Sequence, residues 1–194
     1  MGVAAHVQPL NTGRSGELDA ATVRRAAEGD ADACTALVRR YERPIFALLG
    51  RMLRPRGLAG ELEDLAQEVF FRAFAALPRF DTDGAARLST WLLCIASRLA
   101  INEIKRKRPA LVPLAHDIAV RGPDACVDAR IALFHALRQV TPEQQAALVL
   151  REFHGLDDAA IGEALGLKAG AVKARVARAR ARLRQEMGTE VFDD

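Results

Sequence analysis

The sequence has 194 residues, enough for one large or two small domains, and its hydrophobic content of 50% is sufficient for a packed core. Aromatic residues make up only 5%, and the bias toward Ala, Leu and Arg favours helices over sheets. The formal net charge is only +3, but basic residues form two clusters, at 105–108 and between 168 and 184. Local clusters matter more than the total charge for binding a polyanion. Two clusters favour a nucleic-acid partner over solvated helix ends.

Several classes of function are excluded. No apolar run approaches the roughly 18–20 residues that cross a bilayer, and no signal peptide is present, so we expect a cytoplasmic protein without membrane insertion. The cysteines Cys34, Cys94 and Cys126 are far apart, which predicts neither a disulfide framework nor a metal site. Cys94 lies in an apolar run and is expected in the core. No catalytic constellation or phosphate-binding glycine loop occurs, so we expect neither an enzyme nor a cofactor.

The first half of the chain is predicted to be helical. Residues 1–17 show no helical periodicity of apolar residues and are expected to be a disordered tail. Residues 18–108 do show this periodicity, which predicts a first helical domain. Its last helix is expected to start at an N-cap of Ser89 or Thr90. That helix is apolar nearly all round, which predicts a central position. The four helices are expected near 18–28, 31–53, 61–77 and 89–107.

A break separates this domain from a second one. Three prolines and a glycine fall within 109–127, which predicts a flexible linker. A second helical domain is expected over 128–187, followed by a short tail at 188–194. Thr141-Pro142-Glu143-Gln144 has the pattern of a capped helix start, and Gly155 that of a helix end. The helices are expected near 130–137, 141–154, 157–165 and 169–186. The predicted fold class is therefore all-α, with two small domains.

The last two helices form a helix-turn-helix pattern around Gly166-Leu167, the arrangement that places a recognition helix in the major groove. On a helical wheel, one stripe of the second helix is apolar and should face the core: Val172, Val176, Ala179 and Leu183. The opposite face is small, so DNA bases can come close: Gly170, Ala174, Ala177 and Ala181. Basic residues flank it: Lys173 and Arg178 for bases or phosphates, and Arg175, Arg180, Arg182 and Arg184 for phosphates. The alternative is that Ala is simply a good helix former and Arg keeps the helix soluble.

A second pattern lies in the first domain, at Glu61–Phe74. Its buried face is predicted to contain Leu62, Leu65, Val69 and Ala73, with Ala66, Phe70 and Leu77 beside them. Asp64, Gln67, Glu68 and Phe71 group on the opposite face. One Phe in an acidic surround resembles an anchor for a basic partner helix. A solvated face with one exposed Phe is the alternative.

The run Asp64-Leu65-Ala66-Gln67-Glu68-Val69-Phe70-Phe71-Arg72-Ala73-Phe74 resembles the polymerase-docking helix of bacterial sigma factors of the extracytoplasmic-function type, group 4 of the sigma-70 superfamily. The resemblance implies that Asp64, Gln67, Glu68 and Phe71 contact the clamp helices of the RNA polymerase largest subunit. It covers about residues 20–187.

Two further segments are similar to the promoter-reading segments of that family. Phe80-Asp81 and 87–96 resemble the part that captures the −10 element, and 151–180 the part that reads the −35 element. The −10 contacts are expected at Phe80, Trp91, Arg98, Asn102, Lys105, Arg106 and Arg108. The −35 contacts are expected at Lys173, Ala174, Arg175, Ala177, Arg178 and Arg182. Phe80 and Trp91 are also compatible with core packing. Ala171 and Ala174 replace the family's usual Thr and Ser, and Arg98 replaces its frequent Asn.

The function that the resemblance implies is binding to core RNA polymerase, promoter-specific initiation and help with DNA melting. Its implied partners are the polymerase, double-stranded and melted promoter DNA, and an anti-sigma factor; we expect a monomer. An autonomous helix-turn-helix regulator would explain 157–184 but not the acidic face of the first domain. A protein-interaction domain with incidental basic faces would show no salt-dependent DNA binding.

Overall fold

Eight α-helices occur in the part of the chain that the computed structural model describes, residues 17–84, 86–107 and 125–187, with side chains from 131 onward in the last segment. No β-strand occurs in these ranges, and the predicted all-α fold is confirmed. The helices are α1 (Ala20–Ala27), α2 (Ala31–Leu53), α3 (Leu62–Ala76), α4 (Leu88–Lys107), α5 (Ala125–Arg138), α6 (Pro142–Glu152), α7 (Asp158–Leu165) and α8 (Ala169–Met187). Short 3-10 turns extend α2 at Arg54–Arg56 and flank α3 at Ala59–Glu61 and Leu77–Arg79.

Helices α1 to α4 form the first domain. The carboxylates of Asp19 and Asp30 accept backbone hydrogen bonds at the starts of α1 and α2, because the first amides of a helix have no partner within it. Helix α4 packs against both α2 and α3, with Leu92, Leu93 and Ala96 almost completely buried. Its central position, expected from the apolar sequence, is confirmed.

The start of α4 differs from the prediction. The helix begins at Leu88, so neither Ser89 nor Thr90 is its N-cap. Instead, the amide and hydroxyl of Ser89 donate to the carboxylate of Glu17, which also accepts a 2.7 Å hydrogen bond from the Tyr41 hydroxyl. A carboxylate from another element thus caps the helix, and its charge is favourable at this end of the helix dipole.

Helices α5 to α8 form the second domain. Helix α5 starts at Ala125, earlier than the expected 130 and inside the stretch predicted as linker; most of that stretch lies outside the described residues, as do the tails at 1–16 and 188–194. At the start of α6 the side chains and amides of Thr141 and Gln144 bond reciprocally, as predicted. The helix ends at Glu152, slightly before the expected position, and Gly155 adopts φ +63°.

The helix-turn-helix is formed by α7 and α8. Asp157 caps α7 and Gly166 ends it in the left-handed conformation, both as predicted. A Cβ at Gly162 would lie only 2.6 Å from the carbonyl oxygen of Leu167, so the turn packs closely against α7. The predicted core stripe of α8 is confirmed, with its members at most 5% exposed: Val172, Val176, Ala179 and Leu183.

The two domains contact each other. Helices α2 and α4 of the first domain pack against α6, and α4 also packs against α7. Three residues on one side of α4 contact the second domain, at spacings of four and seven: Cys94, Arg98 and Lys105. We call these three residues the α4 stripe. No helix within the described residues has the length and apolar character needed to span a membrane.

Candidate functional site

The outer surface of α3 carries the acidic face expected from the sequence. The Phe71 side chain is 72% exposed. Asp64 and Gln67 are exposed beside it, and Glu68 is partly exposed. On the opposite side of the helix, Leu62, Ala66, Val69, Ala73 and Leu77 are buried, whereas Leu65 and Phe70 are half-buried. We call Asp64, Gln67, Glu68 and Phe71 the α3 face.

The electrostatics of the α3 face are mixed. Glu68 forms a 2.6 Å ion pair with Arg72, so its carboxylate is oriented one turn along the helix. Among the described residues, no ion pair engages Asp64. An exposed aromatic ring surrounded by acidic and amide groups can provide an apolar anchor while the charges select a basic partner.

The predicted −10 aromatics lie together. The rings of Phe80 and Trp91 are 5.2 Å apart and tilted by 45°, and both are half-buried against the core. Their packing therefore agrees with the core alternative while leaving part of each ring accessible. Phe80 also lines three cavities, of about 360, 380 and 430 Å³, next to the loop that connects α3 to α4.

The basic end of α4 is largely engaged in ion pairs. Arg106 donates two hydrogen bonds to Glu103, at 2.6 and 2.9 Å. Lys107 contacts Glu61 at 2.6 Å. Asn102 is exposed. Arg108, also predicted to contact DNA, lies outside the described residues. The basic cluster is thus partly neutralised by acidic neighbours that sequence reasoning did not pair with it.

Two predicted −10 residues contact the second domain. Arg98 donates to the backbone carbonyl of Ala164 at 3.2 Å, and Lys105 forms a 2.5 Å ion pair with Glu143. Cys94, expected in the core, is half-buried at this domain contact, where its thiol donates to the same Ala164 carbonyl at 2.9 Å. Burial raises the pKa of the Cys94 thiol, which keeps the S–H donor in place.

The predicted −35 face of α8 lies at the surface. Lys173, Ala177 and Arg178 are exposed, whereas Ala174, Arg175 and Arg182 are half-buried. The Arg182 guanidinium pairs with Glu186 at 3.0 Å. Small and basic side chains on an exposed helix that follows a tight turn match the requirements of a major-groove reader.

Sequence reasoning missed the polar groups that join the domains. Arg56 donates to the Val140 carbonyl at 2.7 Å and to the Gln145 side chain at 3.1 Å. Gln145 is completely buried and donates to the Arg51 carbonyl at 2.7 Å. Gln145 lies beside the small and apolar residues Ala146, Ala147 and Leu148, which indicates a buried side chain that needs a hydrogen-bond partner. The sequence does not identify that partner, because Arg51 is 94 positions away. In the described ranges, no cluster of His, Cys, Asp or Glu has the arrangement of a metal site.

Both helical domains match known protein families. Residues 37–110 match Sigma-70 region 2, and residues 130–183 match Sigma-70 region 4. The chain is 30% identical over 181 residues to the ECF RNA polymerase sigma factor SigW of Bacillus subtilis, covering 85% of this chain and 94% of SigW.

Two solved structures share the fold. CnrH in complex with the cytosolic domain of CnrY gives a TM-score of 0.62 at 24% identity, covering 88% of this chain and 97% of CnrH. The sigma factor RpoE of Bartonella quintana, in complex with the anti-sigma factor NepR, gives 0.62 at 20% identity, covering 82% and 98%.

Fold and sequence together define a DNA-binding transcription initiation factor rather than an enzyme. The chain belongs to the ECF family of RNA polymerase sigma factors. Members of this family direct promoter-specific initiation, and the chemistry of RNA synthesis belongs to the polymerase.

Proposed function

We propose that the α3 face docks the protein on core RNA polymerase, on the clamp helices of the largest subunit. The observation that carries this proposal is the 72% exposure of Phe71. A bare aromatic ring is unfavourable in water, and such rings become binding hot spots when a partner covers them. The acidic surround would steer the face toward a basic partner surface.

We further propose that the two domains read two promoter elements. Helix α8 would enter the major groove of the −35 element, with Ala174 and Ala177 close to base edges and Lys173 and Arg178 beside them. Arg175 and Arg182 would contact phosphates, which position the helix without specifying sequence.

The first domain would recognise the −10 element and assist its melting. Unpaired bases would be captured by stacking and by pockets that receive flipped bases. The paired rings of Phe80 and Trp91 and the cavities that Phe80 lines support this assignment. The basic and polar groups of α4, namely Arg98, Asn102, Lys105, Arg106 and Arg108, would hold the strand by its phosphates.

An anti-sigma protein is the partner that we propose for regulation. The CnrH and RpoE structures described above were both determined with a bound partner, and NepR is an anti-sigma factor. We also propose that the free protein is a cytoplasmic monomer.

Competition binding tests the polymerase proposal. Purified protein would be titrated against core RNA polymerase in the presence of a housekeeping sigma factor, with an Asp64→Lys/Glu68→Lys variant beside the wild type. Glu28→Lys/Glu42→Lys is the matched control, because it makes the same change of charge at exposed positions, one directly after α1 and one on α2.

Wild type and control should compete, and the α3-face variant should lose about 100-fold in affinity, the size of a change at two hot-spot positions. Absence of binding by folded wild-type protein would overturn the polymerase proposal. Retained salt-dependent binding to DNA would then favour an autonomous regulator.

A further inference from the structure

A cavity of about 1020 Å³ lies beside the last turns of α8, and we call it the α8 cavity. Its apolar wall includes Leu133 and Phe134 of α5, Val149 of α6, Phe153 just beyond α6, and Leu183 of α8. The polymerase and −10 contacts proposed above do not line it. A cavity of this size with an aliphatic and aromatic wall has the character of a site for apolar side chains or ligands.

The rim of the α8 cavity is basic. Arg51 and Arg54 of α2 and Arg180 and Arg184 of α8 line it. Glu152 is the acidic residue of the same lining, and its carboxylate already accepts from Arg180 at 2.5 Å. The rim therefore carries an excess of positive charge, which favours an occupant with carboxylates beside its apolar part.

Arg51 shows where such a carboxylate is needed. Its guanidinium lies over the ring of Phe153, 4.0 Å from the centroid, and donates to the Ala47 carbonyl at 3.0 Å. Burial lowers the pKa of Arg51, because a partly desolvated cation is less favourable than one in water. A guanidinium has five N–H donors, so Arg51 retains donors for an acidic partner that would offset this cost.

The sequence that follows α8 has the complementary chemistry. We call residues 188–194, which lie outside the described residues, the acidic tail. Val191 and Phe192 form an apolar pair, with Glu190 before it and Asp193 and Asp194 after it, and the acidic tail contains no basic residue. An apolar pair flanked by carboxylates matches an apolar cavity with an arginine rim.

The acidic tail also starts at the edge of the α8 cavity. Helix α8 ends at Met187, one turn beyond Leu183 and Arg184, and Met187 packs against the core. Gly188 follows directly, and glycine at this position commonly ends a helix with a turn that reverses the chain. Five residues span at most about 17 Å, whereas Arg184 lies only about 4.5 Å back along the helix axis from Met187. Phe192 is therefore within reach of the cavity.

We propose that the acidic tail docks in the α8 cavity, with the Phe192 ring against the apolar wall and the carboxylates of Asp193 and Asp194 against Arg51 and Arg54. The protein then carries its own ligand for this cavity and keeps other apolar anions out of it. This docking requires neither polymerase nor promoter DNA, so it stands or falls separately from the proposed function.

Photocrosslinking in the full chain tests the position of Phe192. The photoreactive amino acid p-benzoylphenylalanine would replace Phe192, and mass spectrometry of the digested protein would locate the residue that it attacks. Bonds within one chain to Leu133, Phe134 or Phe153 are expected. The same group in place of Phe71, which is 72% exposed, is the matched control and should not label the α8 cavity. Bonds only to other regions, or only between two copies of the chain, would overturn the proposal.

The charged rim is tested in the same crosslinking experiment. Arg54→Glu should lower the yield of cavity crosslinks from position 192 about 3-fold, since it replaces an attraction to Asp193 and Asp194 by a repulsion. Arg39→Glu makes the same change at an exposed position nearer the start of α2 and should leave the yield unchanged. Equal yields in the two variants would overturn the assigned contact between the acidic tail and the rim.

Dye binding tests whether the acidic tail occupies the α8 cavity. The probe is 1-anilinonaphthalene-8-sulfonate, an aromatic anion with the chemistry inferred for an occupant. Phe192→Ser should bind it about 10-fold more tightly than the wild type, because the apparent affinity scales with the fraction of chains whose cavity is empty. Val7→Ser, near the other end of the chain, is the matched control and should bind like the wild type.

Thermal unfolding followed by circular dichroism would establish that both variants are folded. A dye affinity that is not raised by Phe192→Ser would overturn the docking. Failure of the wild type to bind core polymerase, together with crosslinks in the cavity, would overturn the proposed function and leave the docking intact.

Discussion

The α3 face and the α4 stripe belong to the same domain but differ in accessibility. Phe71 on α3 is 72% exposed, and nothing in the described second domain is bonded to that face. On α4, Cys94, Arg98 and Lys105 are all bonded to the second domain. The α3 face thus has no bonded neighbour in the described second domain, whereas Arg98 and Lys105 are exposed but already have partners there.

This difference separates the two surfaces experimentally. A partner of the α3 face would replace no bond to the second domain, whereas a partner of the α4 stripe would share or replace the bonds that Arg98 and Lys105 make to Ala164 and Glu143. The predictions below test the two surfaces separately.

The largest effect is expected at Phe71. Phe71→Ala should weaken binding to core polymerase about 30-fold or more, equivalent to about 2 kcal/mol. It should change the free energy of unfolding by less than about 0.5 kcal/mol, because the ring is mostly in water. Phe46→Ala on α2 is the matched control, since Phe46 is 38% exposed and lies away from the α3 face. Surface plasmon resonance and urea unfolding provide the measurements. Equal losses for both variants would assign no special role to the α3 face.

A pH effect of about 2 kcal/mol is expected from His154, on the second domain. Burial, with a smaller contribution from Arg51 of the first domain, lowers the pKa of His154 from 6.5 to about 4. The unfolded chain therefore takes up the proton first as the pH falls, and the free energy of unfolding should decrease between pH 6.5 and 4, by about 2 kcal/mol from pH 7 to pH 5.

Urea unfolding at several pH values checks this effect, and His154→Leu should remove the slope. Several carboxylates also have lowered pKa values in the folded chain: Asp19, Asp30, Glu103 and Glu143. They lose their stabilisation only as the pH falls toward the ordinary values of 4.5 for Glu and 3.8 for Asp, so the change between pH 7 and 5 isolates His154. A slope that persists in His154→Leu would show that another group is responsible.

The smallest effect is expected at the Lys105–Glu143 ion pair of the α4 stripe. Both side chains are partly exposed, at 58% and 27%, so a double-mutant cycle with Lys105→Met and Glu143→Gln should give a coupling energy of about 0.2–1 kcal/mol. The coupling energy should decrease when the salt concentration is raised from 50 to 500 mM, because salt screens the attraction between exposed charges. A coupling of zero at low salt would mean that the pair does not help to hold the domains together.

Local signals in the sequence were sufficient for much of the fold. The start of α6 follows from Thr141 and Gln144, and the turn after α7 from Gly166, because each of these is completed by residues within a few positions. The buried stripe of α8 likewise follows from spacing alone. The exposed position of the α3 face was also predictable, since it requires only the periodicity of one helix.

Features that depend on distant partners were not predictable in the same way. The start of α4 was placed one residue late because its cap, Glu17, lies 72 residues away from Ser89 in sequence. The hydrogen bond from Arg56 to Gln145 joins residues 89 positions apart. Hydrophobic periodicity shows whether a side chain is buried or exposed but does not identify its partner in another domain. The sequence therefore predicted DNA contacts for Arg98 and Lys105 but not their contacts with the second domain.

The segment 108–124 has a consequence for competition. Because it tethers the domains, the second domain is presented to the α4 stripe at an effective concentration on the order of millimolar. Any DNA strand or regulatory protein that contacts the α4 stripe competes with the second domain. The effective concentration of the second domain is fixed by the segment and does not depend on how much protein is present. Lengthening this segment would lower the effective concentration and so weaken the competition, without any change in a contact residue.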